Sequence, residues 1–322
     1  MSELDRYREG ITSFLLSLVP PRGLLRELVG YPLGAVADDG GPGPGPGGKL
    51  LRPYLVCFAC EALGGDPERA FPLAAAVELV HTFSLVHDDI VDGDRIRRGR
   101  AAAWVVLGEH QAIHAGDGLL ALAFRAAAGA DLSAGRTARA VGALASATLA
   151  MVEGQARDLE LEGKPVTMDE YLAMTRGKTG ALLGCSLELG AIAALREDLA
   201  PAHRQVGEFL GIAFQIRDDW LGLWGEPAVV GKTVGSDHTR EKRPYPIAWA
   251  LERDPSLAPF LREASFAQLQ ARLAELGAHE ATEARAEEFL TQAEAGARNL
   301  PWSAWAQTEF AELCRQLSVR VK

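Results

Sequence analysis

Only four cysteines occur in 322 residues, Cys57, Cys60, Cys185 and Cys314, too few to staple a chain of this size with a disulfide framework. Cys57 and Cys60 form a C-x-x-C, yet they sit in an apolar helical pattern with no βαβ context and no second C-x-x-C to complete a zinc site. All four are expected to be core thiols of a protein kept in a reducing cytoplasm. Aromatic residues make up 7% of the chain, β-branched residues are sparse, and few segments alternate with period two. Ala and Leu dominate instead, so the composition is all-helical. A positive excess is missing too: the net charge of −10 excludes a general nucleic-acid-binding surface. A polyanionic partner would have to meet a local concentration of cations. No run reaches the roughly 20 apolar residues that span a bilayer, and the charged, mixed start ahead of Ile11–Val19 does not resemble a leader. With 48% apolar residues the chain can still bury a large core.

Helical periodicity runs through most of the chain. An amphipathic helix is predicted over residues 3–18, ended by Pro20-Pro21. Residues 37–48, ADDGGPGPGPGG, are too rich in Gly and Pro for helix or strand and read as a flexible loop. Helices are expected near 50–63, 67–91, 109–129, 133–162, 167–193 and 199–222, with Pro201 in the first turn of the last. A glycine-rich stretch at 225–237 follows, and helices resume near 239–251, 255–263, 265–276, 278–298 and 302–318. The Ala/Glu/Arg-rich region 265–298 reads as solvent-facing. No repeat and no linker after residue 48 break the pattern, so one helical domain over 1–322 is the simplest parse.

The most informative stretch is Asp88-Asp89-Ile90-Val91-Asp92, followed by Asp94 and the basic run Arg95, Arg97, Arg98 and Arg100. It closes an apolar helical run from Phe71 to Val86. On a helix, Asp88 and Asp92 share a face with Asp89 beside them, and like charges at that spacing repel unless a cation sits between. Mg²⁺ suits such a place, because it takes one or two carboxylates plus phosphate oxygens, while arginines suit the phosphates. An isolated DDxxD is as easily a solvated helix end. A second acidic pair, Asp218-Asp219, again ends an apolar helical run, in FQIRDDWLG. Two such helices can build a multi-metal site inside a helical bundle.

Basic residues flank these motifs or fall in glycine-rich breaks: Lys49 and Arg52, Arg97 and Arg98, Lys178, Lys232, and Lys242. Lys49 and Arg52 share a face at a helix start, whose own positive end adds to theirs. Gly231-Lys232-Thr233 is not a P-loop: Glu226 stands where the first glycine must be, and the segment follows a helix rather than a strand. Lys178-Thr179 fails in the same way, with Leu172 in that place.

Taken together, GGKxxRP (47–53), HTFSLVHDDIVD (81–92), RRG (97–99), GQxxD (154–158), GKT (177–179), FQIRDD (214–219) and GKxxGSD (231–237) resemble the trans-isoprenyl diphosphate synthases, or polyprenyl synthetases. The resemblance covers residues 47 to about 250 in the right order. It implies an antiparallel helical bundle around a central cavity, working as a homodimer. By the same resemblance, Asp88 and Asp92 bind two Mg²⁺ ions and Asp218 a third, all bridging to an allylic diphosphate, with Asp89 and Asp219 as secondary ligands. Arg97, Lys178 and Lys232, with Lys242 and Gln215 nearby, hold that diphosphate. Lys49, Arg52, His81 and Arg98 grip the diphosphate of isopentenyl diphosphate, and Thr179 supports the reacting end of the allylic chain. His87 is expected to be structural.

Two departures from the family pattern stand out. Gly222 replaces a third Asp of the second motif, and Leu50 replaces an arginine next to Lys49. One aromatic residue five before Asp88, Phe83, with the small Ser84 four before it, resembles the pattern of a geranylgeranyl (C20) product. Farnesyl or longer products remain open. So do a class I terpene cyclase, which would not need the Lys49, Arg52 and His81 set, and a non-catalytic subunit, which would be expected to lose the first aspartates.

Overall fold

A computed structural model describes residues 3–225 and 242–319. These residues are helical apart from loops and one two-stranded hairpin, as the composition predicts. They form two compact units, Met1–Ser146 with Cys185–Pro201, and Ala147–Gly184 with Ala202–Lys322.

The first unit contains α1 (Arg8–Ser17), α2 (Leu24–Gly30), α3 (Leu51–Ala62), α4 (Phe71–Asp92), the hairpin β1 (Ile96–Arg97) and β2 (Arg100–Ala101), α5 (Ala103–Leu107), α6 (Glu109–Ala128) and the start of α7 (Ala134–Glu160). Helix α4 is its core. A short turn, Pro67–Ala70, leads into it, with the Asp66 carboxylate accepting the Glu68 N–H at 3.0 Å and Pro72 in the first turn. It ends at Gly93, whose left-handed φ of 66° lets the Asp94 N–H reach back to the Asp89 carbonyl at 2.9 Å. Leu73, Val77, Leu79, Val80 and Val86 are buried against neighbours that include α3 and, most extensively, α6. Each such side chain contributes about 1.5–3 kcal/mol.

The stretch Pro67–Asp92 is long and apolar enough, at a mean hydropathy of 1.3, to cross a membrane by composition alone. This corrects the expectation that no such run exists: Glu78, His81 and Ser84 interrupt the run to the eye without lowering its mean enough. Because 67% of its most apolar 18-residue window is buried inside the molecule, it is accounted for as a core helix. All four cysteines are free and buried; burial raises the Cys57 thiol well above its usual range and pushes Cys60 up to about 12.

The hairpin and the Gly/Pro segment, like the short α2 and α5, are not announced by periodicity. The hairpin turns on Arg98 and Gly99, both with positive φ (52° and 75°), as a tight two-residue hairpin turn demands. The Gly/Pro segment takes a hydrogen-bonded course, with Gly43 N–H on Ala35 O at 3.0 Å and Gly45 N–H on Gly34 O at 2.8 Å. That is more order than its composition implies.

The second unit holds the rest of α7, α8 (Met168–Thr175), a π-helical turn at Arg176–Gly180, the start of α9 (Ala181–Ala193), nearly all of α10 (Ala200–Trp224), α11 (Tyr245–Arg253), α12 (Leu257–Glu263), α13 (Phe266–Glu275), α14 (Ala278–Arg298) and α15 (Ala304–Val319). Capping boxes at Thr167/Glu170 and Ser265/Gln268 start α8 and α13. Leu223, Ile247, Leu251, Leu257, Leu269 and Leu273 share one apolar cluster. The region 265–298 is therefore amphipathic rather than wholly solvent-facing, since Leu269, Leu273, Phe289 and Leu290 are buried.

The helix expected over 167–193 is interrupted by the π turn. There the chain lies so close to α7 that a Cβ on Gly154 would stand 2.1 Å from the Lys178 backbone nitrogen. Only glycine permits that approach.

Candidate active site

In the first unit, the end of α4 and the hairpin place carboxylates and guanidinium groups side by side. The Asp89 side chain is 3% exposed. It accepts from Arg97 Nε at 2.8 Å and again from Arg97 Nη2; Arg97 also reaches Asp94 at 3.4 Å. Burial works against the Arg97 charge, but Asp89 outweighs it and holds the guanidinium above its usual range. Asp88 and Asp92, one helical turn apart, are partly exposed. The expected metal pair and its neighbour are thus differentiated: Asp89 is committed to Arg97.

On the next turns of α4 lie His81 and Glu78. Arg52 Nη1 stands 3.3 Å from His81 Nε2. Arginine only donates, so this nitrogen is the acceptor and the ring proton sits on Nδ1. Burial, reinforced by Arg52, Arg98 and Arg97, pushes His81 well below its usual pKa, so the ring is neutral. Arg98 Nη2 lies 3.5 Å from Glu78 Oε1, with Glu78 almost wholly buried. Lys49 is exposed and precedes Leu50, whose left-handed φ of 50° turns the chain into α3.

A cavity of about 350 Å³ adjoins these groups. Tyr31 and the prolines of the Gly/Pro segment form one wall, Leu85 and Val86 of α4 another, and Arg97, Arg98 and Arg100 lie at its polar side. Phe83 is buried and meets His87 edge-on at 4.8 Å between ring centroids. The His87 Nε2 is 3.2 Å from Ile113 O of α6 and lies over Gly116. Ser84 Oγ donates to His81 O at 2.9 Å.

In the second unit, a chain of hydrogen bonds links the other expected residues. Thr179 Oγ1 donates to Gln215 Oε1 at 2.7 Å, and Gln215 Nε2 to Asp219 Oδ1 at 2.8 Å. The other oxygen of Asp219 accepts the Tyr171 hydroxyl at 2.6 Å and the Tyr245 N–H at 2.8 Å. Asp219 is therefore a bracket between α8, α10 and α11, and its neighbour Asp218 is the exposed member of the pair. Lys178, on the π turn, donates to Asp158 of the GQxxD motif at 2.5 Å. π turns are frequent at functional sites. Lys242 is partly buried at the start of the described segment after residue 241. Lys232 lies outside the described residues.

Sequence reasoning missed Glu78, Tyr171 and the backbone of Tyr245, and it gave Asp158 of the GQxxD motif no role. Glu78 carried a signal, a lone carboxylate in an apolar helical run; Tyr171 carried none. The buried amide of Gln155 has no hydrogen-bond partner among the described residues. No group of three or more His, Cys, Asp or Glu there could alone enclose a metal. The donor set nevertheless suits Mg²⁺, which needs few protein carboxylates when phosphate oxygens complete its shell.

Residues 44–275 match the polyprenyl synthetase family. The geranylgeranyl diphosphate synthase of Mycobacterium tuberculosis is 45% identical over 229 residues, 70% of this chain and 65% of that protein. The (2E,6E)-farnesyl diphosphate synthase of Mycobacterium bovis is 41% identical over 229 residues, 70% of this chain and 63% of that one. The chain thus matches a little under two thirds of the length of these relatives. A crystal structure of a polyprenyl synthetase from Streptomyces coelicolor A3(2) superposes with a TM-score of 0.88 at 34% identity, covering 97% of this chain and 98% of that one. With the motifs in order and the helical fold shared, the chain belongs to the polyprenyl synthetase family.

Proposed function

We propose that the protein is an (E)-prenyl diphosphate synthase that condenses isopentenyl diphosphate head to tail with an allylic diphosphate. The observation that carries this reading is the cluster of partly buried Arg52 and His81 with the more exposed Arg98 beside the Asp88/Asp92 helix end, because an enzyme ionising a single diphosphate does not need a second anion site. Arg52, Arg98 and His81, with Lys49, hold the diphosphate of isopentenyl diphosphate. Arg97, Lys178, Lys232 and Lys242 hold the allylic diphosphate, with Gln215 nearby, and Thr179 supports the reacting end of the chain. Three Mg²⁺ ions, held by Asp88, Asp92 and Asp218, would supply the Lewis-acid charge that offsets the departing diphosphate.

The allylic carbon–oxygen bond breaks with its electrons leaving on the diphosphate. The alkene of isopentenyl diphosphate forms the new carbon–carbon bond, and the adjacent proton is lost to the released diphosphate. Arginine and lysine cations stabilise charge as it develops, and apolar walls keep water from the carbocation. Neutral His81 contributes a hydrogen bond rather than a charge. Phe83, backed by His87 and followed by Ser84, supports a geranylgeranyl product; the named relatives include makers of both C15 and C20 chains. The working unit is a homodimer in the cytoplasm.

Purified protein incubated with Mg²⁺, labelled isopentenyl diphosphate and dimethylallyl, geranyl or farnesyl diphosphate should yield geranylgeranyl diphosphate. No condensation with any primer overturns the activity. A different single product overturns only the length.

A further inference from the structure

We infer that Glu78 is a positioning residue: its buried carboxylate holds Arg52 and Arg98 in place to receive the diphosphate of isopentenyl diphosphate. This rests on the function proposed above and adds to it a residue outside the shared motifs. Glu78 lies on α4 one turn before His81, 2% exposed; between Leu73 and Val86 the other buried residues of the helix are apolar apart from Thr82. A lone carboxylate there is costly unless it is paired, and the pairing is specific. Arg98 approaches Glu78 Oε1 at 3.5 Å, and Arg52 and Arg8 are its other cationic neighbours. Burial still lifts the Glu78 carboxyl above its usual range against the pull of those arginines.

Arg98 reaches Glu78 from a left-handed backbone position that side chains rarely adopt, φ 52°. The chain around it makes room. Gly48, at φ 83°, lies under the guanidinium, where a Cβ would stand 3.1 Å from Arg98 Cζ and Nε. Gly47 lies under the Arg98 Cδ in the same way, at 3.2 Å. Arg8 of α1 fixes this segment by donating to the Gly48 carbonyl at 3.2 Å.

The electrostatic consequence follows. Two guanidinium groups brought together without an anion repel. One buried carboxylate, paired with Arg98 and within the field of Arg52, offsets that repulsion in the absence of substrate and leaves a net positive site. Each arginine has five N–H donors, and a single carboxylate leaves most of them for phosphate oxygens. Binding then requires no reordering of the cations, which is preorganisation.

The test measures steady-state kinetics of wild type, Glu78→Gln and Glu78→Asp with Mg²⁺, alongside calorimetric binding of inorganic diphosphate to each. In Glu78→Gln, KM for isopentenyl diphosphate should rise about 10- to 100-fold, the scale seen when a residue supporting a ligand is lost. KM for the allylic substrate should stay within about threefold, because that diphosphate meets a different set of cations. Glu78→Asp, which keeps the charge, should recover part of the loss. An unchanged KM for isopentenyl diphosphate, or equal rises in both KM values, overturns the positioning role and leaves the proposed reaction standing. A wild type that condenses nothing overturns the reaction instead. Diphosphate binding then decides the role of Glu78, and equal affinity in wild type and Glu78→Gln, or none in either, refutes it. Should Glu78→Gln not fold, Glu78→Asp carries the test, with a smaller rise of the same sign expected and no rise overturning it.

Discussion

The Tyr171 hydroxyl donates a 2.6 Å hydrogen bond to Asp219, from a side chain that is 0% exposed. Burial and the adjacent Asp219 charge hold that phenol well above its usual pKa, so it stays a donor at any working pH. Replacing it by Phe removes a bond to a charged acceptor inside the unit. Tyr171→Phe should lower unfolding free energy by about 1.5–3 kcal/mol in urea titrations. An unchanged midpoint would mean that the Gln215 and Tyr245 donors hold Asp219 unaided.

The two aspartates of this pair should separate by kind of damage. Asp219 has three donors on its carboxylate, and an amide in its place turns one oxygen into a donor facing them. Asp219→Asn should therefore unfold earlier than wild type, by about 2 kcal/mol or more. Asp218 is exposed, so Asp218→Asn should keep the wild-type melting temperature while losing about 100-fold or more in kcat. A reversed pattern would show that the roles of the pair are exchanged.

At Gly154 the contact is backbone against backbone. A Cβ there would meet Lys178 N at 2.1 Å and Gly177 C at 2.7 Å, so no side chain can turn aside to admit it. Gly154→Ala should displace the π turn that carries Lys178 and Thr179, at about 1–3 kcal/mol in stability. The allylic KM should rise with it, while Gly135→Ala, at a position with nothing within 4 Å, should be silent in both measurements. Equal behaviour of the two variants would remove the steric argument.

Much of this was legible beforehand, and the reason is local. α3, α4, α6 and α10 announce themselves because apolar residues at helical spacing fill one face over several turns. α2 and α5, with seven and five residues, are too short for that spacing to repeat, and the hairpin has only two residues per strand. The motif residues were found by chemistry and order along the chain. Partners such as Tyr171 for Asp219 are separated by 48 residues and belong to no shared pattern, so only packing brings them together. Glu78 was visible as an odd carboxylate, but its meaning depends on where Arg98 folds back.

His81 carries a pH signature. Its folded-state pKa is depressed well below that of the unfolded chain, through burial and through Arg52, Arg98 and Arg97. The unfolded chain therefore binds more protons than the folded one below the ordinary histidine range, and stability there rises with pH and falls as the solution is acidified. The contribution is fully present above about pH 6.5 and is lost as pH drops toward the folded value. His81→Gln, neutral at every pH, should flatten the fall in melting temperature between about pH 7 and 5 relative to wild type. Parallel curves for the two proteins would assign the acid sensitivity elsewhere.

Product length should respond to the Phe83, His87 and Gly116 stack. The Phe83 ring meets His87 edge-on at 4.8 Å, and His87 lies directly over Gly116, where a Cβ would come within 2.1 Å of Nε2. Phe83→Ala removes the ring and should lengthen the product by one or more isoprene units, at a cost of about 3–5 kcal/mol in stability. Gly116→Ala acts from the other side. It forces His87 away from α6, so Phe83 must shift with it, and the product distribution should broaden without loss of any catalytic group. Chromatography of the dephosphorylated products reads both variants. A product profile identical to wild type in Phe83→Ala, with Gly116→Ala also unchanged, would place the limit on chain growth outside this stack.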